Sequence, residues 1–165
     1  MRTIRPWGRL GIAADPLPPG HLGVGMPKTT TRGGVRTQEL PSTLQRSDAK
    51  AQRTFAKTHD SAQATYHDEQ AAHRVAYAAV KHTDEKVGDR WEPKDHKGPS
   101  DEQAAGGVDT HRPTKGGVDA NAPKSHLLTI ARRLDVRGRS RMSKAQLVEA
   151  LQRTNDRETA NSRKR

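Results

Sequence analysis

The stretch AHRVAYAAVKH, residues 72–82, carries six consecutive apolar residues from Val75 to Val80 in a chain whose mean hydropathy is −1.02. A chain this polar can bury little, so the run fixes where a core forms. Helix is expected over strand, because three alanines dominate the run and Lys81, Glu85 and Lys86 continue it with residues that favour helix. The helix is expected over about 69–86, with Asp68 as its cap, Glu69 in its first turn and Gly88 just past its end. Ala72, Val75, Ala76, Ala79, Val80 and Thr83 make its inward stripe, and Tyr77 with His73 widens that stripe. Such a helix is contacted on more than one side.

A partner helix precedes it. From Ala51 onward, Phe55, His59, Ala62 and Tyr66 recur at helical spacing, with Lys57, Asp60 and Gln63 polar between them. Upstream, Pro41 followed by Ser42 and Gln45 has the spacing of a capping box. Trp91, in VGDRWEP, is the largest apolar group available to close the core. Aromatic residues are 3% of the chain, so Phe55, Tyr66, Tyr77 and Trp91 are all expected in the core. Each contributes on the order of 1.5–3 kcal/mol when buried.

Only 30% of the chain is apolar, and the segments flanking 39–94 are rich in Gly, Pro and charge. Residues 1–38 are expected to be disordered and basic, with Met26 an alternative start. Residues 95–124, in which GGVD occurs twice ten residues apart, are expected to be a flexible linker. Residues 125–154 return to helical pattern. Leu127, Ile130, Ala131 and Leu134 share one face, RGRSRM makes a basic turn, and Ser143 with Gln146 has capping-box spacing ahead of Leu147, Val148 and Leu151. The tail 155–165 is expected to fray in solvent. The fold class is therefore all-α: a small helical domain, then a helix–extended-loop–helix unit.

Taken in order, ELPSTLQ, AQRTFAKTHDSAQATY, AHRVAYAAVKH and VGDRWEPK make residues 39–94 resemble the ChaB family. These are small bacterial proteins named as cation transport regulators, and the resemblance implies a compact helical fold and, by the family's name, regulation of a calcium/proton antiporter. Two departures stand out: many members have tryptophan where this chain has Tyr77, and a longer insert where it has HDEQ. Residues 125–154 resemble the N-terminal unit of the Rho termination factor and SAP-type DNA-binding units. That likeness is carried by Leu127, Leu128, Ala131, Leu134, Gly138, Met142, Ser143, Leu147, Val148 and Leu151.

Charge is divided unevenly. The net charge of +11 splits into +5 for 1–38, zero for 39–94, −1 for 95–124 and +7 for 125–165. Polyanion contact is therefore expected at the ends of the chain, away from the apolar run. Arg132, Arg133, Arg137, Arg139, Arg141, Ser143 and Lys144 surround a turn leading into a helix N-terminus, a combination suited to phosphates. With no aromatic residue in 125–165, duplex DNA backbone is the expected target, ahead of RNA or single strands.

The absence of cysteine excludes disulfides, iron–sulfur clusters and thiol catalysis. No phosphate loop of the GxxxxGK[ST] type occurs, nor an H-E-x-x-H pair. His59, His67, His73 and His82 show no i, i+4 pairing with one another, so no metal site and no cofactor are expected. No motif sets a nucleophile beside a base. The leading expectation is a non-enzymatic cytoplasmic protein contacting nucleic acid through its basic unit, with no small-molecule substrate. The alternative is a regulator of cation transport acting by protein–protein contact of its helical domain.

Overall fold

The computed structural model describes residues 26–164. The expected alternative start falls at its first residue, and the rest of the reading of residues 1–25 lies outside the described residues. The elements are α1 (Ser42–Gln45), α2 (Ala49–Tyr66), α3 (Glu69–Thr83), β1 (Asp84–Val87), β2 (Arg90–Pro93), α4 (Glu102–Ala105), α5 (Lys124–Arg133) and α6 (Lys144–Ser162). Short 3-10 turns at Thr37–Glu39 and Arg139–Arg141 precede α1 and α6. The fold is mostly helical.

Helices α2 and α3 form an antiparallel pair. Asp48 caps α2 by accepting from the Ala51 amide, and Asp68 caps α3 by accepting from the Gln70 amide. Between them His67 takes a left-handed conformation (φ 53°), which reverses the chain in two residues. Phe55, Ala51, Ala56, Ala76 and Val80 are fully buried and pack with Leu40, Leu44 and Trp91. Val75, Tyr77 and Ala79 are half-buried. Tyr66 is 46% exposed, against the expectation of a core residue, because α2 ends there and the chain turns away at once. The capping box of Ser42 and Gln45 does not form. Pro41 occupies the cap position and the Gln45 side chain donates to the Leu40 carbonyl instead.

Helix α3 stops three residues earlier than expected, and a β-hairpin follows. β1 and β2 pair antiparallel with Lys86 opposite Trp91 and Val87 opposite Arg90. Gly88 (φ 66°) is the first residue of the two-residue turn between them, not the end of a helix. Gly-Asp between Val87 and Arg90 is a short-hairpin signal that outweighs the helix propensity of Glu85 and Lys86.

Adjacent strand residues point to opposite faces, and the hairpin uses both. Trp91 faces the α2–α3 core, while Val87 joins a second core with Val118, Leu127, Ile130, Ala131, Leu147 and Leu151. Leu134 packs against this second core half-buried.

Residues 95–124 are ordered, not a flexible linker. Lys94, almost fully buried, donates to the carbonyls of Lys81 and Gly98 and pairs with Asp119 at 3.3 Å. Asp101, 4% exposed, accepts from the Ala104 and Lys115 amides and from Lys81 Nζ at 3.0 Å. The Lys86 amide donates to the Gly117 carbonyl, and Val118 and Ala122 are buried. Buried charged groups thus hold what the apolar count cannot. Residues 26–38 are likewise held: the Lys28 and Thr29 amides donate to Asp60 at 2.8 Å, and Thr29 bridges Val35.

The C-terminal tail also departs from expectation. Helix α6 continues to Ser162, with Thr154, Asn155 and Thr159 buried. Asn155 accepts from the Gly88 amide at 2.7 Å and donates to the Lys86 carbonyl at 2.8 Å, so its amide clamps the hairpin turn. The Ser143–Gln146 capping box forms at the other end of α6 as the spacing predicts.

Candidate functional site

Three features of the described residues carry chemistry: a buried histidine–glutamate cluster, a cationic cleft and the basic turn before α6.

The cluster lies where α2 and α3 run side by side. His59 is fully buried on α2, and its Nδ1 lies 3.2 Å from Asp60 Oδ1. Its Nε2 lies 3.1 Å from Glu69 Oε1, in the first turn of α3. One turn along α3, His73 Nε2 reaches the same Glu69 oxygen, also at 3.1 Å. Lys28 Nζ stands 3.7 Å from that oxygen. Glu69 Oε2 is buried and has no hydrogen-bond partner. The His59 and His73 rings meet edge to face, 5.0 Å between centroids, and Phe55 packs on both.

The charges are set by these neighbours. Burial acts to raise the Glu69 carboxyl, but the His59 hydrogen bond and the charges of His59, Lys28 and His73 outweigh it and hold it below the usual range. Burial pushes the His73 imidazole down, assisted by the charge of His59 and opposed by Glu69. Asp60 is held low despite its burial, because it accepts from Thr29, Lys28 and His59. Spacing alone could not show this convergence: His59 and His73 are fourteen residues apart, and only the antiparallel pairing of α2 and α3 joins them. The i, i+4 pair of Glu69 and His73 was the one available signal.

The cleft, of about 590 Å³, is bounded by α3, α4, the 110–116 loop and the end of α6. Tyr77 and Trp91, 5.9 Å apart, give it an aromatic floor. Arg74, Lys81, Lys86, Arg112 and Arg163 line it against a single lining carboxylate, Asp156, with Lys81 already paired with Asp101 behind it. Lys86 is only 11% exposed at its side chain, and burial pushes its ammonium down while Asp156 at 3.7 Å acts to raise it. The arrangement suits an acidic group attached to an apolar body.

The residues picked out around the basic turn are spread by the structure into different roles. Arg132, Arg137, Arg141 and Lys144 are exposed. Arg133 is engaged by Glu92 in a two-pronged pair at 2.9 Å. Arg139 folds back onto the Val136 carbonyl, and Ser143 serves as the cap of α6.

A family model described as ChaB matches residues 40–94, one third of the chain, which spans α1 to the end of the hairpin. No curated protein and no solved structure matches the chain. Nothing in these comparisons matches the C-terminal unit, so its likeness to Rho and SAP-type units stays an expectation. Among the described residues no helix is long and apolar enough to cross a membrane.

Proposed function

We propose that this protein is a non-enzymatic, cytoplasmic regulator of cation transport that acts by protein–protein contact, with its ChaB-like unit as the recognition module. The observation that carries this reading is the match of residues 40–94 to the ChaB family. The cleft supports it, because five cations around an aromatic floor fit an acidic segment of a partner that also carries apolar side chains. Arginine and aromatic residues are the side chains that most often dominate binding energy at such surfaces.

The test uses the full chain, since the hairpin shares its second face with the C-terminal elements. Immobilised protein is challenged with detergent-solubilised bacterial membranes, and captured proteins are identified by mass spectrometry. A cation transporter is expected, with capture lost at high salt and in the double variant Arg74→Glu, Arg112→Glu. Recovery of soluble proteins alone, or a transporter held equally by the double variant, overturns the reading.

A second reading, nucleic-acid contact through Arg132, Arg137, Arg141 and Lys144, rests on the exposure of these four beside a capped helix N-terminus. It has less behind it, since Arg133 and Arg139 are already engaged. Duplex DNA binding with a log–log salt slope of roughly −3 to −4 would support it. A slope near zero removes it.

A further inference from the structure

We infer that His59, Glu69 and His73 form a binding site for one divalent transition-metal ion of the zinc class, bound through His59 Nε2, His73 Nε2 and the Glu69 carboxylate.

The ligand atoms already converge. They lie within 4.8 Å of one another, and each histidine nitrogen is 3.1 Å from Glu69 Oε1. Ligands about 2.0–2.1 Å from a tetrahedral zinc ion stand roughly 3.3 Å from each other, so little movement is needed to admit the ion. A His–His–Glu set leaves the fourth position to water or to the second Glu69 oxygen. Two imidazoles with one carboxylate select zinc, cobalt or nickel over calcium or magnesium, which prefer oxygen ligands throughout.

Two further observations point to a cation. The first is the orphaned oxygen. Glu69 Oε1 meets both histidines, and Oε2 is buried without a partner. An ion bound by both oxygens satisfies the atom the protein leaves unpaired. The second is the support behind His59. Asp60 Oδ1 sits 3.2 Å from Nδ1, and Asp60 is itself fixed by the Lys28 and Thr29 amides and the Thr29 hydroxyl. A carboxylate only accepts, so this contact keeps a proton on Nδ1 and turns Nε2 toward Glu69; the proton that Nε2 gives to Glu69 in the metal-free protein is the one an ion displaces. Carboxylate–histidine pairs of this kind are the usual outer support of a metal ligand. His73 and Glu69 are each about one-third exposed at the side chain, and the cleft reaches His73, so an ion has a route in.

The opposing term is Lys28, whose ammonium lies 3.7 Å from Glu69 Oε1 and competes with any cation. It supplies a sharp test. The full chain, stripped with chelator, is titrated with Co²⁺ and read by visible ligand-field absorption, and with Zn²⁺ by calorimetry. One equivalent is expected, with a tetrahedral cobalt spectrum. His73→Gln is expected to weaken binding at least about tenfold, Lys28→Met to tighten it, and the pair His67→Gln, His82→Gln to leave it unchanged. Circular dichroism checks folding; Glu69→Gln carries the same expectation as His73→Gln if that variant unfolds. Overturning results are no cobalt spectrum and no heat, or binding that survives His73→Gln and Glu69→Gln, or binding that follows His67 and His82 instead.

Discussion

Asn155 is the point at which the two cores are tied most directly, and its replacement by alanine gives a measurable prediction. The side chain is 1% exposed, accepts from the Gly88 amide at 2.7 Å and donates to the Lys86 carbonyl at 2.8 Å, both more than sixty residues away in sequence. Alanine cannot replace either bond. One amide and one carbonyl lose their partner at a largely buried place, each costing about 1–3 kcal/mol. Against this, alanine returns about 0.5 kcal/mol of helix propensity within α6. The net loss is about 1.5–5.5 kcal/mol, which for a chain of this size lowers Tm by roughly 3–22 °C. Urea and thermal unfolding of Asn155→Ala, in a Trp7→Phe background so that Trp91 reports alone, measure it. Asn161→Ala, exposed on the same helix, is the neutral control. Because Trp91 belongs to the first core and Asn155 stands on α6, the fluorescence transition should fall together with the far-ultraviolet one. A loss under about 0.5 kcal/mol, or a Trp91 transition that stays in place while helix signal is lost, refutes the coupling.

Two further outcomes follow from buried groups. Asp101 is raised by burial but held below the usual carboxylate range by the Lys115 and Ala104 amides and by Lys81. A carboxyl lowered in the folded state stabilises above its unfolded value of about 4 and loses that contribution as pH falls through its folded value. Asp101→Asn should therefore cost about 3 kcal/mol at pH 7, and the gap from wild type should shrink below about pH 4; a gap independent of pH contradicts the pairing. Gly117 (φ 93°) has no room for a side chain, since a Cβ there would stand 2.6 Å from Trp91 Cη2 and 2.9 Å from Lys86 Cβ. Gly117→Ala should lose about 1–3 kcal/mol by denaturant unfolding; unchanged stability would show that residues 95–124 do not press on the hairpin.

Periodicity and caps made α2, α3, α5 and the start of α6 legible, because Phe55, Ala76, Leu127 and Leu147 recur on helical faces, with Asp68 and Ser143 marking two of the starts. What was missed is held by polar groups. Hydropathy sees nothing in RTNDRETANS, yet Thr154 and Thr159 bury themselves by donating to the carbonyls one turn back. Residues 95–124 read as linker because their apolar side chains are few, while Lys94, Asp101 and Asp119 do the anchoring. The hairpin was hidden by Glu85 and Lys86, good helix formers, and only the Gly88–Asp89 pair marked it. The histidine cluster could be found only once α2 and α3 were known to lie antiparallel.

The register of the hairpin sets Glu85 directly opposite Glu92. Like charges so placed repel, and in this chain each is met from α5, Glu85 by His126 at 2.7 Å and Glu92 by Arg133. The stretch that matches the family model therefore ends with a debt settled by residues seven apart on a helix beyond it. Excised at residue 94, that stretch would present a bare Val87 beside two mutually repelling carboxylates. The unit recognised by its sequence stops short of the residues that neutralise its hairpin.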